Sequence, residues 1–395
     1  MLERKNYNVG EWSEIYTLFR LLDTGKLYAA DDELNNISTV KGDMFIPLLR
    51  ILRDEIIKPK TEVNKFEFIP KASSNDTVKV YLNEQLVFDD SSQQFAKNAD
   101  VLLEALQSDS KKKALLLEDV FLFLETLNVK KVKQGTDKKA DIIIQIQDVH
   151  NGTEPIVGFS IKSFIGSKPT LFNPSKATNF IYEIVGEQKQ INHIRNNLVS
   201  IQGADYPDGN NKSIAINDII ANVEKLGCDL VFYKVDERFA DNLMMIDTQM
   251  PMIIAEMLKC YYSKRTKSRV LQVLDYIVEA NPLSLKVNKA KLIYTHNIKS
   301  FLCAIALGMV ASSEWDGTDE ASGGYIIVKR SGDIVAYHIY NRDMFKKYLL
   351  NSTKFDGPQR FDTPPPSKKK GYDYGYIYEE NGKLYIKLNL QIRFR

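Results

Sequence analysis

Cysteine and histidine are scarce in this sequence, which argues against sites built on either residue. Its 395 residues include three cysteines, Cys228, Cys260 and Cys303, which lie far apart and form no CxxC pair. Such cysteines exclude a disulfide framework and indicate no structural zinc site. The four histidines show no HxxxH spacing. A histidine-based metal centre or a cysteine–histidine nucleophile is therefore not expected.

Long apolar runs and an excess of one charge are also lacking. The longest apolar stretch, near residues 301–311, is shorter than a bilayer span, and residues 1–12 lack the apolar core of a signal peptide. Lys and Arg number 53 and Asp and Glu 51, a net charge of +2, so binding to a polyanion would depend on local basic clusters. The sequence contains no GxxxxGKS loop, so an ATP-driven translocase is not supported. We expect a cytoplasmic protein.

The composition is that of a folded α/β protein with more than one folding unit. Hydrophobic residues make up 44% and charged residues 26%, which excludes a disordered chain. The length fits two or three units of about 150 residues. We expect an N-terminal helical and β region at 1–92, a core of mixed sheet and helices at 93–235, and a C-terminal helical region with a small sheet at 236–395.

Hydrophobic periodicity places helices and strands along the chain. Residues 11–57 have the i, i+3, i+4, i+7 spacing of amphipathic helices. Residues 65–70 and 78–88 alternate apolar and polar side chains, which predicts short strands. Helices are then expected at 96–106, 114–127, 174–185 and 187–199, and in much of 214–307. Beyond residue 323 the alternation of strands returns.

One predicted strand pair carries side chains suited to catalysis. Its arms are residues 140–149 and 156–164, joined by a turn at Asn151 and Gly152. Alternate side chains of a strand share a face, so Ser160 and Lys162 point the same way. Asp141 stands at the start of the other arm and could be the partner that a lysine on a buried strand needs.

A carboxylate and a lysine on adjacent strands suit metal-assisted cleavage of a phosphodiester. Asp141 would hold Mg²⁺ and Lys162 would orient or polarise the attacking water. The structural alternative is that Asp141 only begins a strand and Lys162 extends to solvent from an edge strand. The spacing of the two residues does not decide between these interpretations.

The segment after this strand pair favours a phosphate ligand. Asn173 is the expected N-cap and Pro174 the first residue of the helix predicted at 174–185. Lys168 and Lys176 flank that N-terminus, where the backbone N–H groups suit a phosphate. Hydrogen bonds to base edges are expected from Ser175, Thr178 and Asn179.

Several stretches of the chain resemble the restriction endonucleases of the HpaII type, within the PD-(D/E)XK nuclease superfamily. They are GFSIKS at 158–163, KPTLFNPSKATNFIY at 168–182, EWSEIY at 11–16 and GKLYAAD at 25–31. The resemblance implies a nuclease core of a mixed sheet flanked by helices. It also implies Mg²⁺-dependent double-strand cleavage of DNA at a short unmodified palindrome, CCGG. A functional pairing with a DNA methyltransferase is expected, and a homodimer on the palindrome is one possibility, since the sequence does not say whether two subunits cut together.

The chain departs from the superfamily pattern at one position. Ser160 stands two residues before Lys162, where the superfamily has an acid. In similar nucleases a glutamate on the following helix compensates, and Glu183 occupies the corresponding place; a solvated helix face is the alternative. Glu187 is the next candidate for the second metal-binding carboxylate. Glu118 resembles a carboxylate that the helix before the strand pair often contributes, although a surface position fits it equally.

A basic loop near the C-terminus is the expected DNA contact of that region. Lys368, Lys369 and Lys370 lie in a proline-punctuated stretch at 363–371 and could contact phosphates. Two rivals to a restriction enzyme stay open. One is a structure-specific or repair nuclease of the same superfamily; the other is a non-catalytic DNA-binding protein, which Ser160 in the acid position keeps plausible.

Overall fold

The chain folds into two compact units. The computed structural model describes residues 4, 7–39, 42–57, 62–72, 74–108, 110–132, 140–148, 152–166, 168–203, 214–338, 342–360 and 372–395. The first unit comprises Met1–Pro169 and Asp319–Tyr348, and the second comprises Thr170–Thr318 and Leu349–Arg395. The chain therefore leaves the first unit and returns to it, and the unit boundaries fall elsewhere than at residues 92 and 235.

A large mixed sheet with helices forms the first unit. In chain order its elements are α1 (Val9–Thr24), β1 (Lys26–Tyr28), β2 (Ser38–Thr39), β3 (Gly42–Asp43), β4 (Phe45–Ile57), β5 (Glu62–Ile69), β6 (Thr77–Leu82), β7 (Gln85–Ser91), α2 (Gln93–Gln107), α3 (Ser110–Thr126), β8 (Ile142–Ile146), β9 (Ile156–Ser163), β13 (Gly324–Val328) and β14 (Ile334–His338). The helix α11 (Arg342–Ser352) begins in this unit.

The sheet is antiparallel except at one pair of strands. Within the described residues its order is β14-β13-β9-β8-β4-β5-β6-β7, and β1 also pairs with β4. Strands β13 and β9 are parallel, with Tyr325 opposite Ser160 and Ile327 opposite Lys162. Parallel neighbours need a crossover connection. Here the crossover includes the segment Thr170–Thr318, which belongs to the second unit.

One face of this sheet is buried under helices. Phe159 and Ile161 of β9 belong to a core cluster that also contains Phe19 of α1, Leu102 of α2 and Leu124 of α3. Because side chains alternate along a strand, Ser160 and Lys162 lie on the other face. The residue pattern of β9 therefore separates a core face from a polar face, as the sequence predicts.

Local signals fix the ends of α1. The side chain of Asn8 accepts a hydrogen bond from the Glu11 amide at 3.0 Å, and the Glu11 carboxylate accepts one from the Asn8 amide at 2.8 Å, a capping box. Gly25 ends the helix at φ 62°. A Cβ there would lie 2.2 Å from the carbonyl oxygen of Lys71, so only glycine fits this position.

The prediction of helix throughout residues 11–57 is wrong in its second half. Phe45–Ile57 is a strand that pairs with β5 on one side and β8 on the other. Its buried row includes Ile51 together with the charged pair Arg53 and Glu55, which hid the two-residue period. The other apolar residues of this segment have helical spacing. Pairing with a neighbouring strand on each side nevertheless favours the strand over a helix.

The second unit combines helices with two small sheets. Its elements are β10 (Thr170–Phe172), β11 (Asn179–Val185), α4 (Gln188–Asn196), α5 (Leu198–Gln202), α6 (Ile216–Lys225), β12 (Asp229–Lys234), α7 (Glu237–Met244), α8 (Met250–Tyr262), α9 (Val270–Ala280), α10 (Val287–Leu307), β15 (Thr353–Asp356), β16 (Ile377–Glu380), β17 (Lys383–Asn389) and β18 (Gln391–Phe394).

The small sheets have the orders β12-β11-β17-β16 and β10-β18-β15. The pairs within them are antiparallel. In the part of the chain that the structure describes, every helix is too short or too polar to cross a membrane. The helices predicted between residues 214 and 307 and the C-terminal strands are confirmed, whereas α11 was not predicted.

Candidate active site

Adjacent strands hold one oxygen of Asp141 in a fixed position. The Asp141 amide donates to the carbonyl of Phe159 at 2.8 Å and so extends the β8–β9 pairing by one residue. Asp141 Oδ2 accepts hydrogen bonds from Ser160 Oγ at 3.1 Å and from the Ile161 amide at 2.7 Å. Ser160 is 1% exposed. Two neutral donors of β9 therefore orient the carboxylate without neutralising its charge.

Lys162 lies on the same face of β9 as Ser160, two residues further on. Its Nζ is 5.8 Å from the centroid of the Tyr325 ring. Strand β9 lies between β8 and β13, so the interpretation of Lys162 as a cation on an edge strand is wrong. Among the described residues neither Asp141 nor Lys162 has an ion-pair partner, and the expected pairing between the two is absent.

Close packing at the start of β9 keeps the backbone at Asp141 against that strand. A Cβ on Gly158 would lie 2.7 Å from the Cβ of Ala140, the residue before Asp141. The Gly323 amide donates to the Gly158 carbonyl at 2.7 Å. A larger residue at 158 would have to displace the segment that carries the carboxylate.

The chemistry of this site suits a hard divalent cation. Mg²⁺ prefers oxygen ligands and is usually bound by one or two carboxylates, with water and substrate phosphate completing the octahedron. Asp141 Oδ1 accepts no hydrogen bond from a described residue, so it is available to a metal. Among the described residues no three or more His, Cys, Asp or Glu side chains are grouped so that they could hold a metal ion, so the site offers one carboxylate rather than a protein cage.

Glu183 lies on a strand rather than on the predicted helix. Residues 179–185 form β11, in which Phe180, Tyr182 and Ile184 are buried in alternation. The period of two and the β-branched and aromatic residues favour a strand. Glu183 lies opposite Tyr385 in the second unit, and its Oε2 accepts a hydrogen bond from Lys383 Nζ at 3.0 Å.

The two other candidate carboxylates have local partners. Glu187 is the N-cap of α4, and its Oε2 accepts a hydrogen bond from Gln190 Nε2 at 3.4 Å. Glu118 forms an ion pair with Arg4 on the exposed side of α3. Because α3 covers the core face of the sheet, Glu118 and Asp141 lie on opposite sides of it. This placement does not favour Glu118 as a ligand of the same metal as Asp141, and that role stays a prediction.

The expected DNA-contacting segment forms a turn instead of a helix N-terminus. The Ser175 amide donates to Thr178 Oγ1 at 2.9 Å, and Asn389 Nδ2 donates to Asn179 Oδ1 at 2.7 Å. The turn leaves Asn173 and Lys176 exposed. The assignment of Asn173 as a helix N-cap is wrong, because the chain enters β11 after the turn.

The structure describes only one of the two further sets of lysines expected to contact DNA. Lys168 is an exposed residue of the first unit. Lys368, Lys369 and Lys370 lie outside the described residues. For both sets, contact with DNA stays a prediction.

Sequence reasoning missed Tyr325 as a neighbour of the site. The sequence predicts strands beyond residue 323 and gives no role to Tyr325. The available signal was one tyrosine in a strand of otherwise aliphatic residues. Its position next to Ser160 depends on the parallel pairing of β13 with β9 across the whole crossover, which local patterns do not reveal.

Comparisons with known proteins show the family to which the chain belongs. The family model described as HpaII restriction endonuclease matches residues 8–394. The Type II restriction enzyme HpaII of Haemophilus parainfluenzae is 36% identical over 396 residues, which cover 100% of each chain. No solved structure matches the chain at a significant level. Since both matches extend over essentially the whole chain, the protein belongs to the HpaII restriction endonuclease family and is a type II site-specific deoxyribonuclease.

Proposed function

We propose that the protein cuts both strands of DNA at the palindrome CCGG and requires Mg²⁺ to do so. One observation carries the proposal. In this member of the family the Asp141 carboxylate, the Ser160 hydroxyl that orients it and Lys162 lie on one face of adjacent strands. The cleavage of each strand is a hydrolysis that leaves a 5′-phosphate. CCGG is the site that the family resemblance implies.

Each of the three residues has a separate role in this proposal. Asp141 holds the cation through the oxygen that is not bonded to β9. Mg²⁺, when bound, supplies charge neutralisation at the phosphate and a more acidic water. Lys162 contacts the reacting phosphate and the attacking water. Ser160 donates a hydrogen bond from its hydroxyl to Asp141 and so fixes which carboxylate oxygen faces the metal.

Glu183 is the proposed second carboxylate ligand. The helix that first suggested it does not exist, so the proposal now depends on the position of Glu183 in the sequence pattern alone. Its carboxylate is paired with Lys383, and a metal would have to replace that lysine. Removing Glu183 and removing Lys383 should therefore have opposite consequences for metal binding, which makes the role testable.

DNA contacts are proposed from the turn after β10 and from the basic loop. Lys176 and Asn173 are exposed there and would reach phosphates and bases, while Ser175 and Asn179 hold the shape of the turn through Asn389. Lys168 and the run Lys368, Lys369 and Lys370 would contribute further phosphate contacts. A palindromic site suits a two-fold homodimer, and a partner methyltransferase would protect host sites.

Plasmid digestion tests the proposal directly. The purified protein is incubated with a plasmid that contains CCGG sites, with and without Mg²⁺, and with the same plasmid methylated at those sites. We expect discrete fragments only from unmethylated DNA with Mg²⁺. Cleavage of branched DNA regardless of sequence would favour a repair nuclease, and binding without cleavage would favour a non-catalytic DNA-binding protein.

A further inference from the structure

An aromatic ring lies beneath the lysine of the proposed active site. Lys162 Nζ is within 5.8 Å of the Tyr325 ring centroid, inside the range in which a ring face attracts a cation. We propose that Tyr325 is a positioning residue for Lys162: its ring holds the ammonium group where the reacting phosphate binds. The inference rests on the proposed catalytic role of Lys162.

The pairing of the strands makes this contact specific. In the parallel register of β9 and β13, Tyr325 lies opposite Ser160, and Ile327 lies opposite Lys162. Tyr325 and Lys162 are therefore diagonal neighbours on one sheet face, a separation that aromatic and long side chains can span. The same register places the ring beside the hydroxyl that orients Asp141.

The ring itself is held rigidly. Tyr325 is fully buried and packs against Phe345 of α11 with ring centroids 5.1 Å apart. Phe345 also packs against Tyr337 at 5.4 Å, and Tyr337 stacks on Tyr348 at 4.9 Å. Phe345 therefore packs directly on the ring over which the lysine lies.

A ring suits this lysine better than a carboxylate would. Lysine has a flexible stem with several rotatable bonds, so a catalytic ammonium needs a restraint. An ion pair would supply one, but it would also offset the positive charge that the phosphate needs. The face of a tyrosine ring attracts the ammonium through its quadrupole and leaves the full charge available. None of the described carboxylates forms an ion pair with Lys162.

Substitutions at Tyr325 separate the contribution of its ring to the cleavage rate from that of its hydroxyl. Single-turnover cleavage of a CCGG duplex over a range of enzyme concentrations gives a maximal rate and a half-saturating concentration. We expect Tyr325→Phe to keep the maximal rate within about twofold, since the ring remains. Tyr325→Leu should lower that rate about tenfold, equivalent to about 1.4 kcal/mol of activation free energy. The half-saturating enzyme concentration should be unchanged in both variants.

Tyr337→Leu is the matched control. It removes a buried ring from the same aromatic cluster and also a hydrogen bond to the Asp31 carbonyl, but its ring is not the one under Lys162. We expect a loss of thermal stability at least as large as for Tyr325→Leu and a maximal rate within about twofold of wild type. Equal rate losses in the two leucine variants would overturn the proposal in favour of a structural role.

A stability cycle provides a readout that does not depend on cleavage. Unfolding is measured for Lys162→Met, Tyr325→Leu and the double variant, and a contact between the two side chains should make their effects non-additive. If Tyr325→Leu does not fold, Tyr325→Met is used in its place, because methionine fills more of the tyrosine's volume and also lacks a ring. Additive effects, or a wild-type rate without the ring, would contradict the proposal.

The failure of this inference can be distinguished from the failure of the proposed function. If Lys162→Ala still cuts at the wild-type rate, the catalytic role of Lys162 is wrong. If Lys162→Ala is inactive and Tyr325→Leu is fully active, only the positioning role of Tyr325 is wrong.

Discussion

Lysines on inner strands of the two units differ in whether a described carboxylate pairs with them. In the second unit Lys383 of β17 pairs with Glu183, and Lys387 on the same strand pairs with Asp373. In the first unit Lys162 of β9 lies over a ring, and Asp141 accepts hydrogen bonds from neutral donors. The second unit offsets its strand charges locally, whereas the proposed site keeps both of its charges for a ligand.

The first unit also contains charges of a third kind, which are buried and paired. Arg53 and Glu55 of β4 have side chains that are 6% and 0% exposed. Burial lowers the pKa of Arg53, and the neighbouring Glu55 carboxylate opposes that shift. The pair also binds backbone, since Glu55 accepts from the Lys130 amide at 3.0 Å and Arg53 donates to the Val132 carbonyl at 2.8 Å. Buried pairs of this kind are structural.

The largest expected effect tests that structural role. Arg53→Met leaves Glu55 buried without a cation, so we expect a loss of about 3–5 kcal/mol in the free energy of unfolding. Urea denaturation measures it. Arg265→Met is the control in the second unit, because Arg265 pairs with Glu224 on the surface at 2.7 Å, and such pairs contribute less than about 1 kcal/mol. Similar losses in the two variants would contradict the distinction.

The next prediction concerns the unpaired lysine. Lys162→Ala should lower the cleavage rate on the order of 10²–10³-fold, because it removes a positive group from the transition state. Thermal stability and sequence-specific DNA binding should stay close to wild type, since no ion pair with a described residue is lost. Single-turnover cleavage, thermal unfolding and a binding titration check the three expectations, and cleavage at wild-type speed would remove Lys162 from the site.

A third prediction tests whether the Glu183–Lys383 pair of the second unit is only structural. If Glu183 is the second metal ligand, Glu183→Gln should lower cleavage on the order of 10²-fold, and Lys383→Gln should retain it. Titration of Mg²⁺ in the cleavage assay should then give half-maximal cleavage at a higher Mg²⁺ concentration for Glu183→Gln and at a lower one for Lys383→Gln. Full activity of Glu183→Gln would mean that the Glu183–Lys383 pair is structural, as its geometry alone suggests.

The smallest expected effect is on the salt dependence of DNA binding. Lys176→Gln should reduce the slope of log affinity against log salt by about one, and neutralising Lys368, Lys369 and Lys370 together by up to about three. Sequence preference should not change. Lys97→Gln removes an exposed charge from α2, which covers the core face of the sheet, and its slope should equal that of wild type. An unchanged slope in the other variants would place their lysines away from DNA.

The sequence alone determined the features that depend on short-range patterns. The alternation of β8 and β9 predicted a strand pair with Ser160 and Lys162 on one face, and the register confirms it. The Asn8 and Glu11 side chains and Gly25 fix the ends of α1 by local hydrogen bonds and backbone geometry. The quoted motifs also indicated the family, because they are contiguous in the chain.

Only the tertiary structure decided the features that depend on distant partners. Residues 45–57 and 179–185 have apolar spacings that fit either a helix or a strand, and pairing on both sides makes each of them a strand. The crossover between β9 and β13 places Tyr325 beside Ser160 although the whole segment Thr170–Thr318 lies between them in the chain. Strand pairing selects among conformations that local propensity leaves almost equal in free energy, so these positions could not be derived from sequence patterns.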